Sequence, residues 1–210
     1  MGSTHRSFRW KALASMLLAA TAGLALLVEP AAASGATTHG ATRTTTRIYR
    51  AFSRSGAPSV RITSIIGGFC WSGSDTAMRD DAWRCVSGRF IYDPCFSSPK
   101  AKGVVLCILA PWSKSGTEIV LKKALPKPFA GPPSTTGLPW AIGTTTGLRC
   151  VFASGATRAI GDRRANYGCR KSTEWLWGSP SRSSEPWTIF AAPFQVKRLS
   201  KRAKIAVAWF

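Results

Sequence analysis

The chain has 210 residues, of which 45% are hydrophobic, so it is long enough to bury the core of one domain of ordinary size. Its 29 Lys and Arg against 9 Asp and Glu give a net charge of +20, which favours anionic partners and disfavours basic ones. The two histidines, His5 and His39, lie near the start, so residues 60–210 lack the base of a Ser-His-Asp or Cys-His site and the commonest metal ligand.

The first 33 residues have the pattern of a secretory signal peptide. Arg6, Arg9 and Lys11 precede the uncharged run "ALASMLLAATAGLALLV", and small residues follow, with a cleavage point before Ser34. We therefore predict a signal peptide over residues 1–33 and an extracellular location, secreted or associated with the cell wall. No later apolar run is long enough to span a membrane, so we predict no transmembrane segment in the mature chain.

Residues 34–59 are rich in Thr, Ser, Gly and Arg and contain few apolar side chains. Such a segment buries too little apolar surface to offset the entropy lost when it becomes ordered. The composition predicts a flexible basic tail over residues 34–59 and a single β-rich, disulfide-bonded domain over residues 60–210.

Short apolar segments separated by Gly, Pro and Ser predict strands in that domain. In chain order they are "VRITSII" (60–66), "GVVLCILA" (103–110), "TEIVLKKAL" (117–125), the hairpins "WAIGTTTGLRCVFA" (140–153) and "ANYGC" with "EWLWG" (165–178), "PWTIFAA" (186–192) and "KIAVAWF" (204–210). In the last strand, alternation places Ile205, Val207 and Trp209 on one face. The segment "RDDAWRCVSG" (79–88) instead predicts a short helical turn capped by Asp80 or Asp81.

No segment keeps a period of 3.6 residues over the length of a helix. The predicted fold class is mainly β: an antiparallel sandwich or barrel, stabilised by disulfides, with at most one or two short helices.

Six cysteines in an exported chain predict three disulfides. Fifteen pairings are open, and we favour neighbours in order, because each pair then brackets a plausible turn: Cys70–Cys85, Cys95–Cys107 and Cys150–Cys169. Closing loops of this size stabilises a fold by roughly 3 kcal/mol each. No C-x-x-C pair occurs and no histidine lies among the cysteines, so we predict no metal and no cofactor.

Four acids, Asp75, Asp80, Asp81 and Asp93, lie close together in the sequence. A cell-wall or polysaccharide hydrolase needs two carboxylates, and Asp81 with Asp93 are the candidates for such a pair. The favoured interpretation is structural, with capping by Asp80 or Asp81 and a turn that begins at Asp93 before Pro94. A third hypothesis is an inhibitor of secreted proteases that presents the segment "SGRFIYDP" (87–94).

The strongest indication of function is positive charge. The segment "VKRLSKRAK" contains five cations that attract polyanions: Lys197, Arg198, Lys201, Arg202 and Lys204. Trp175 and Trp177 share one face of the strand "EWLWG", and exposed indoles there would stack on a ligand. We predict an exported, non-enzymatic domain whose partner is an anionic polymer or a polysaccharide of the cell envelope. No nucleic-acid motif accompanies the charge, so specific nucleic-acid binding is not predicted.

Several motifs occur together in a specific order: "GGFCWSGS", "DDAWRCVSG", "IYDPCF", "VVLCILAPWS", "NYGC" and "VAWF". Over residues 67–210 the chain resembles a recurrent pattern of exported actinobacterial proteins with six cysteines. That family is uncharacterised, so the resemblance implies export and a cysteine framework, but no reaction and no catalytic residue.

Overall fold

A computed structural model describes residues 41–128 and 130–210, which belong to one compact unit. The predicted signal peptide and residues 34–40 lie outside the described residues. The described residues form thirteen strands and no helix, which confirms the mainly β fold class. In this part of the chain there is accordingly no helix with the length and apolar character needed to cross a membrane.

Five strands close into a barrel: β2 (Arg61–Gly73), β3 (Ala82–Ser87), β4 (Phe90–Ser97), β5 (Val104–Cys107) and β6 (Ser115–Leu121). Consecutive strands pair antiparallel, and β2 pairs with β6 in parallel to complete the closure. Trp83, Val105 and Ile119 fill the interior together with two disulfides. Closure leaves the barrel without an unpaired edge.

The remaining strands build a second sheet: β1 (Thr45–Arg47), β7 (Ala141–Thr144), β8 (Arg149–Phe152), β9 (Ala159–Ile160), β10 (Arg163–Cys169), β11 (Glu174–Ser181), β12 (Thr188–Pro193) and β13 (Arg202–Trp209). Since β13 pairs with both β12 and β7, the six strands β7, β8, β10, β11, β12 and β13 form a closed antiparallel ring. Tyr167, Leu176 and Ile205 lie in its core.

All three predicted disulfides are present, and each joins residues directly opposite each other on neighbouring strands. Cys70–Cys85 connects β2 to β3, and Cys95–Cys107 connects β4 to β5. Cys150–Cys169 connects β8 to β10 in the ring. The bonds therefore fix the register of three strand pairs as well as stabilising the chain.

The predicted helical turn in residues 79–88 is wrong, because residues 82–87 form β3. Trp83 and Cys85 point into the barrel, whereas Arg84 and Val86 lie on its outer side. This alternation has the period of a strand. The two acids before β3 belong to the turn that leads into it.

The predicted tail also differs from the structure over residues 41–59. Strand β1 pairs in parallel with β13, and the hydroxyl of the buried Thr44 donates to the carbonyl of Ile205 at 2.8 Å. Ala51 is buried in a core cluster with Phe96 on β4 and Trp140, the residue just before β7. Composition predicted disorder because it counts apolar side chains, whereas β1 is held by backbone hydrogen bonds to β13 and the residues after it by a few apolar contacts with the core cluster.

The prediction that Ile205, Val207 and Trp209 share one face is wrong. The pairing of β13 with β7 shifts between Ile205 and Val207, and a shift of this kind moves later side chains to the opposite face. Ile205 and Ala208 consequently lie in the core of the ring. Trp209 instead packs against Trp112 of the β5–β6 loop, with ring centroids 5.4 Å apart.

Candidate binding site

The five cations predicted to bind the ligand are all exposed. We call them the basic surface: Lys197, Arg198, Lys201, Arg202 and Lys204. Three lie in the connection from β12 to β13, and the other two alternate with buried residues on β13. None of the ion pairs in residues 41–128 and 130–210 involves any of the five. Their charge therefore faces solvent.

An aromatic ring supports one edge of the basic surface. The guanidinium carbon of Arg202 lies 4.3 Å from the ring centroid of Phe190, and that of Arg163 lies 4.7 Å from the same centroid. Arg202 also donates to the hydroxyl of Thr188 at 2.9 Å. A cation–π contact of this kind holds Arg202 in place without an acidic partner. Arg163 on β10 lies beside the same ring, but it forms an ion pair with Asp162 at 3.6 Å, so it is not counted in the basic surface.

Trp177 is not available for stacking, which corrects its prediction as a ligand-binding residue. Its side chain has no exposed area, and its indole N–H donates to the carbonyl of Ala192 at 3.1 Å. Phe194 and Leu199, from the segment after β12, pack on this outer face of the ring. The alternation of "EWLWG" predicted one core face, and in the structure both faces of β11 are covered.

Trp175 is half-buried and lines a cleft. Its ring lies against Gly168, the residue opposite it on β10, where an added Cβ would sit 3.4 Å from the indole. On another side it packs on Phe194, with centroids 4.9 Å apart. The indole is therefore held between the backbone at Gly168 and the ring of Phe194.

The cleft has a volume of about 720 Å³ and lies between the β5–β6 loop of the barrel and strands β8, β10 and β11 of the ring. Its aromatic lining is Trp112 from the loop and Trp175 from the ring. Three of its lining residues are exposed cations: Lys114, Arg149 and Arg170. No Asp or Glu is among the described residues that line it.

The two arginines of the cleft lie side by side because of their neighbours in sequence. Arg149 precedes Cys150 and Arg170 follows Cys169, so the disulfide between those cysteines brings the arginines onto adjacent strands. The backbone N–H of Arg170 donates to the carbonyl of Arg149 at 2.9 Å. Sequence reasoning missed this pair, although the predicted Cys150–Cys169 bond contained the signal for it.

Asp81 forms a structural ion pair. Its two oxygens accept from Nε and Nη2 of Arg79 at 2.5 and 2.6 Å. Arg79 is only 5% exposed and also donates to the carbonyls of Tyr49 and Phe210 at 2.7 and 3.1 Å. This arginine therefore ties together the turn before β3 and the segments that flank β1 and β13.

Asp93 lies in a separate network, with its side chain 4% exposed. It accepts hydrogen bonds from the hydroxyls of Ser74 and Thr76 and from the backbone N–H of Asp75. Burial raises the pKa of the Asp93 carboxyl, and these hydrogen bonds together with Arg84 partly oppose that effect.

The two candidate carboxylates do not share a cavity. Asp81 borders one lined by Arg50, Phe52 and Phe96, and Asp93 borders another lined by Thr63, Ile91 and Leu109. A glycosidase requires both groups on either side of one bond. The described geometry thus does not favour the hydrolase hypothesis.

The segment 87–94 of the inhibitor hypothesis forms the turn between β3 and β4 and most of β4. Phe90 and Ile91 are each 58% exposed, and the segment lies between Cys85 and Cys95, which belong to different disulfides. Protease inhibition stays a prediction.

Among the described residues, no group of three or more His, Cys, Asp or Glu is arranged to hold a metal ion. The chain matches no protein-family model, and neither the curated proteins nor the solved structures contain a significant match to it.

Proposed function

We propose that this chain is an exported, non-enzymatic domain that binds an anionic polymer or polysaccharide outside the cell. The observation that carries the proposal is the basic surface, in which five exposed cations lie on one turn and one strand without an acidic partner in the described part of the chain.

The physical argument concerns desolvation and the local field. Exposed cations that have no intramolecular ion pair can exchange water and counterions for the anions of a ligand without first breaking an internal contact. The electrostatic potentials of closely spaced cations add, so one polymer with several anionic groups is attracted by all of them. The preorganised position of Arg202 on Phe190 reduces the entropy that its side chain loses on binding.

The experiment measures the affinity of the oxidised chain for heparin, a sulfated polysaccharide, as salt is increased. One variant replaces Lys197, Arg198, Lys201, Arg202 and Lys204 by Gln. A matched control replaces five exposed cations of the barrel region, Arg61, Lys100, Lys102, Lys122 and Lys123, by Gln. Since an exposed ion pair contributes about 0.2–1 kcal/mol, losing the basic surface should weaken binding roughly tenfold or more.

The control variant has the same net charge, so it should retain most of the affinity. An equal loss of heparin affinity in both variants would contradict binding at the basic surface and would show that affinity depends on net charge alone. Binding that persists in 1 M salt would also overturn the proposal, because charges are then screened beyond about 3 Å.

A further inference from the structure

The cleft between the barrel and the ring is distinct from the basic surface. None of the five cations of the basic surface lines it. It has its own three cations and two indoles, which come from parts of the chain far apart in sequence. Its volume of about 720 Å³ lies within the range of about 300–1,000 Å³ that is common for small-ligand sites.

Arg149 and Arg170 supply the polar recognition groups of the cleft. Within the described residues, no hydrogen bond or ion pair involves either guanidinium, although Arg149 contacts the ring of Trp112 at 5.8 Å. A guanidinium presents a planar set of donors that matches the two oxygens of a carboxylate or sulfate. Two such groups on adjacent, covalently joined strands have their backbones fixed side by side, so both can reach the anionic oxygens of one ligand.

Trp112 and Trp175 supply the apolar lining. Trp112 is held by its edge contact with Trp209, and Trp175 by Gly168 and Phe194. An indole offers a large rigid face with little entropy to lose, and it also carries one polar N–H. A ligand that suits this lining has apolar faces together with hydroxyl groups, as a pyranose ring does.

We propose that this cleft binds an acidic saccharide, with sugar rings against Trp112 and Trp175 and anionic substituents on Arg149 and Arg170. The inference rests on the proposed function and narrows it: the basic surface attracts a polymer over several charges, and the cleft recognises individual sugar units. Lys114 at the barrel side of the cleft adds a third positive group. A simple polyanion without sugar rings would use the basic surface and leave the tryptophans unused.

The test titrates the oxidised chain with three tetrasaccharides and follows tryptophan fluorescence and heat. The probes are tetragalacturonic acid with carboxylates, a heparin tetrasaccharide with sulfates, and neutral cellotetraose. The cleft variant is Arg149→Gln with Arg170→Gln, and the matched control is Lys100→Gln with Lys102→Gln, which removes the same charge from exposed positions of the barrel region that belong neither to the cleft nor to the basic surface. Comparing the affinities of Trp175→Phe and Trp175→Ala separates the contribution of an aromatic ring from a general effect on packing. Far-UV circular dichroism verifies that each variant is folded.

We expect the affinity of one acidic tetrasaccharide for the cleft variant to be at least about tenfold lower than for the wild-type chain, because two charge-assisted contacts are lost. Its affinity for the control variant should be nearly that of the wild type. Which acidic probe binds identifies the anionic group. Trp175→Ala should weaken binding, and Trp175→Phe should retain most of it. Cellotetraose should bind much more weakly than the acidic probe.

Three results would overturn the inference: unchanged affinity in the cleft variant, equal loss in cleft variant and control, or equally tight binding of cellotetraose. If polymeric heparin still binds through the basic surface in any of these cases, the proposed function stands and only the cleft assignment fails. If the wild-type chain shows no salt-dependent binding of polymeric heparin, the proposed function itself fails.

Discussion

The barrel of β2 to β6 and the ring of β7 to β13 use charged residues in different ways. In and around the barrel, Asp75, Asp81 and Asp93 each contact an arginine of the same region, Arg84 or Arg79. On the ring, the cations of the basic surface and the two cleft arginines have no ion pair among the described residues, and the ring pair Arg163–Asp162 is solvent-exposed. Buried or half-buried ion pairs therefore hold structure around the barrel, whereas the dense run of unpaired cations lies on the ring, where we expect binding.

The largest expected effect on stability comes from Arg79→Ala. The substitution removes a buried guanidinium that donates to Asp81 and to two backbone carbonyls. Removing one partner of such a pair should lower the free energy of unfolding by about 3 kcal/mol. Urea denaturation with intact disulfides measures the loss. The control Arg54→Ala, at an exposed position, should change it by less than about 0.5 kcal/mol. Similar values for both variants would contradict a structural role for the charges around the barrel.

A smaller and pH-dependent effect is expected from Asp93→Asn. Burial raises the pKa of Asp93 in the folded chain above its ordinary value of 3.8, so the folded state retains the proton over a pH range in which the unfolded state has lost it. Wild-type stability should then fall as pH rises through the window above 3.8, by about 1.4 kcal/mol for each unit by which the pKa is raised.

The variant lacks this titration, so the free energy of unfolding of wild type minus that of Asp93→Asn should decrease between pH 3 and pH 7. Urea denaturation at several pH values measures the difference. A difference that grows with pH would mean that the hydrogen bonds from Ser74 and Thr76 outweigh burial.

The smallest expected effect on stability comes from the ring. Arg198→Gln with Lys201→Gln removes two exposed charges, and the free energy of unfolding should change by less than about 0.5 kcal/mol in the same assay. A loss close to that of Arg79→Ala would remove the contrast between the two regions, because these cations would then be structural.

Local patterns predicted much of the fold. Cysteine order predicted the three disulfides, and apolar segments flanking a glycine-bearing loop in one case and a polar turn in the other predicted both ring hairpins. The errors arose where a distant contact decides the outcome. Residues 45–47 are ordered by pairing with β13, which sequence composition does not reveal.

The candidate site was predicted only in part, for the same reason. The exposure of Lys197 and Arg198 could be inferred from a run of charge. The burial of Trp177 depends on Phe194 returning over the outer face of the ring. The cleft needs Trp112 of the barrel region beside Arg149 of the ring, and the bulge in β13 that turns Trp209 toward Trp112 has no simple sequence signature.

The Cys150–Cys169 bond has a consequence beyond stability, because it fastens together the two strands that carry Arg149 and Arg170. Thiols remain reduced in the cytosol and become oxidised outside it. Strand pairing and the disulfide together set the spacing of the arginines, and only the disulfide depends on an oxidising compartment. The proposed cleft would then reach its full rigidity during oxidative folding, and a reduced chain among the anionic polymers of the cytosol would hold the two arginines together less firmly.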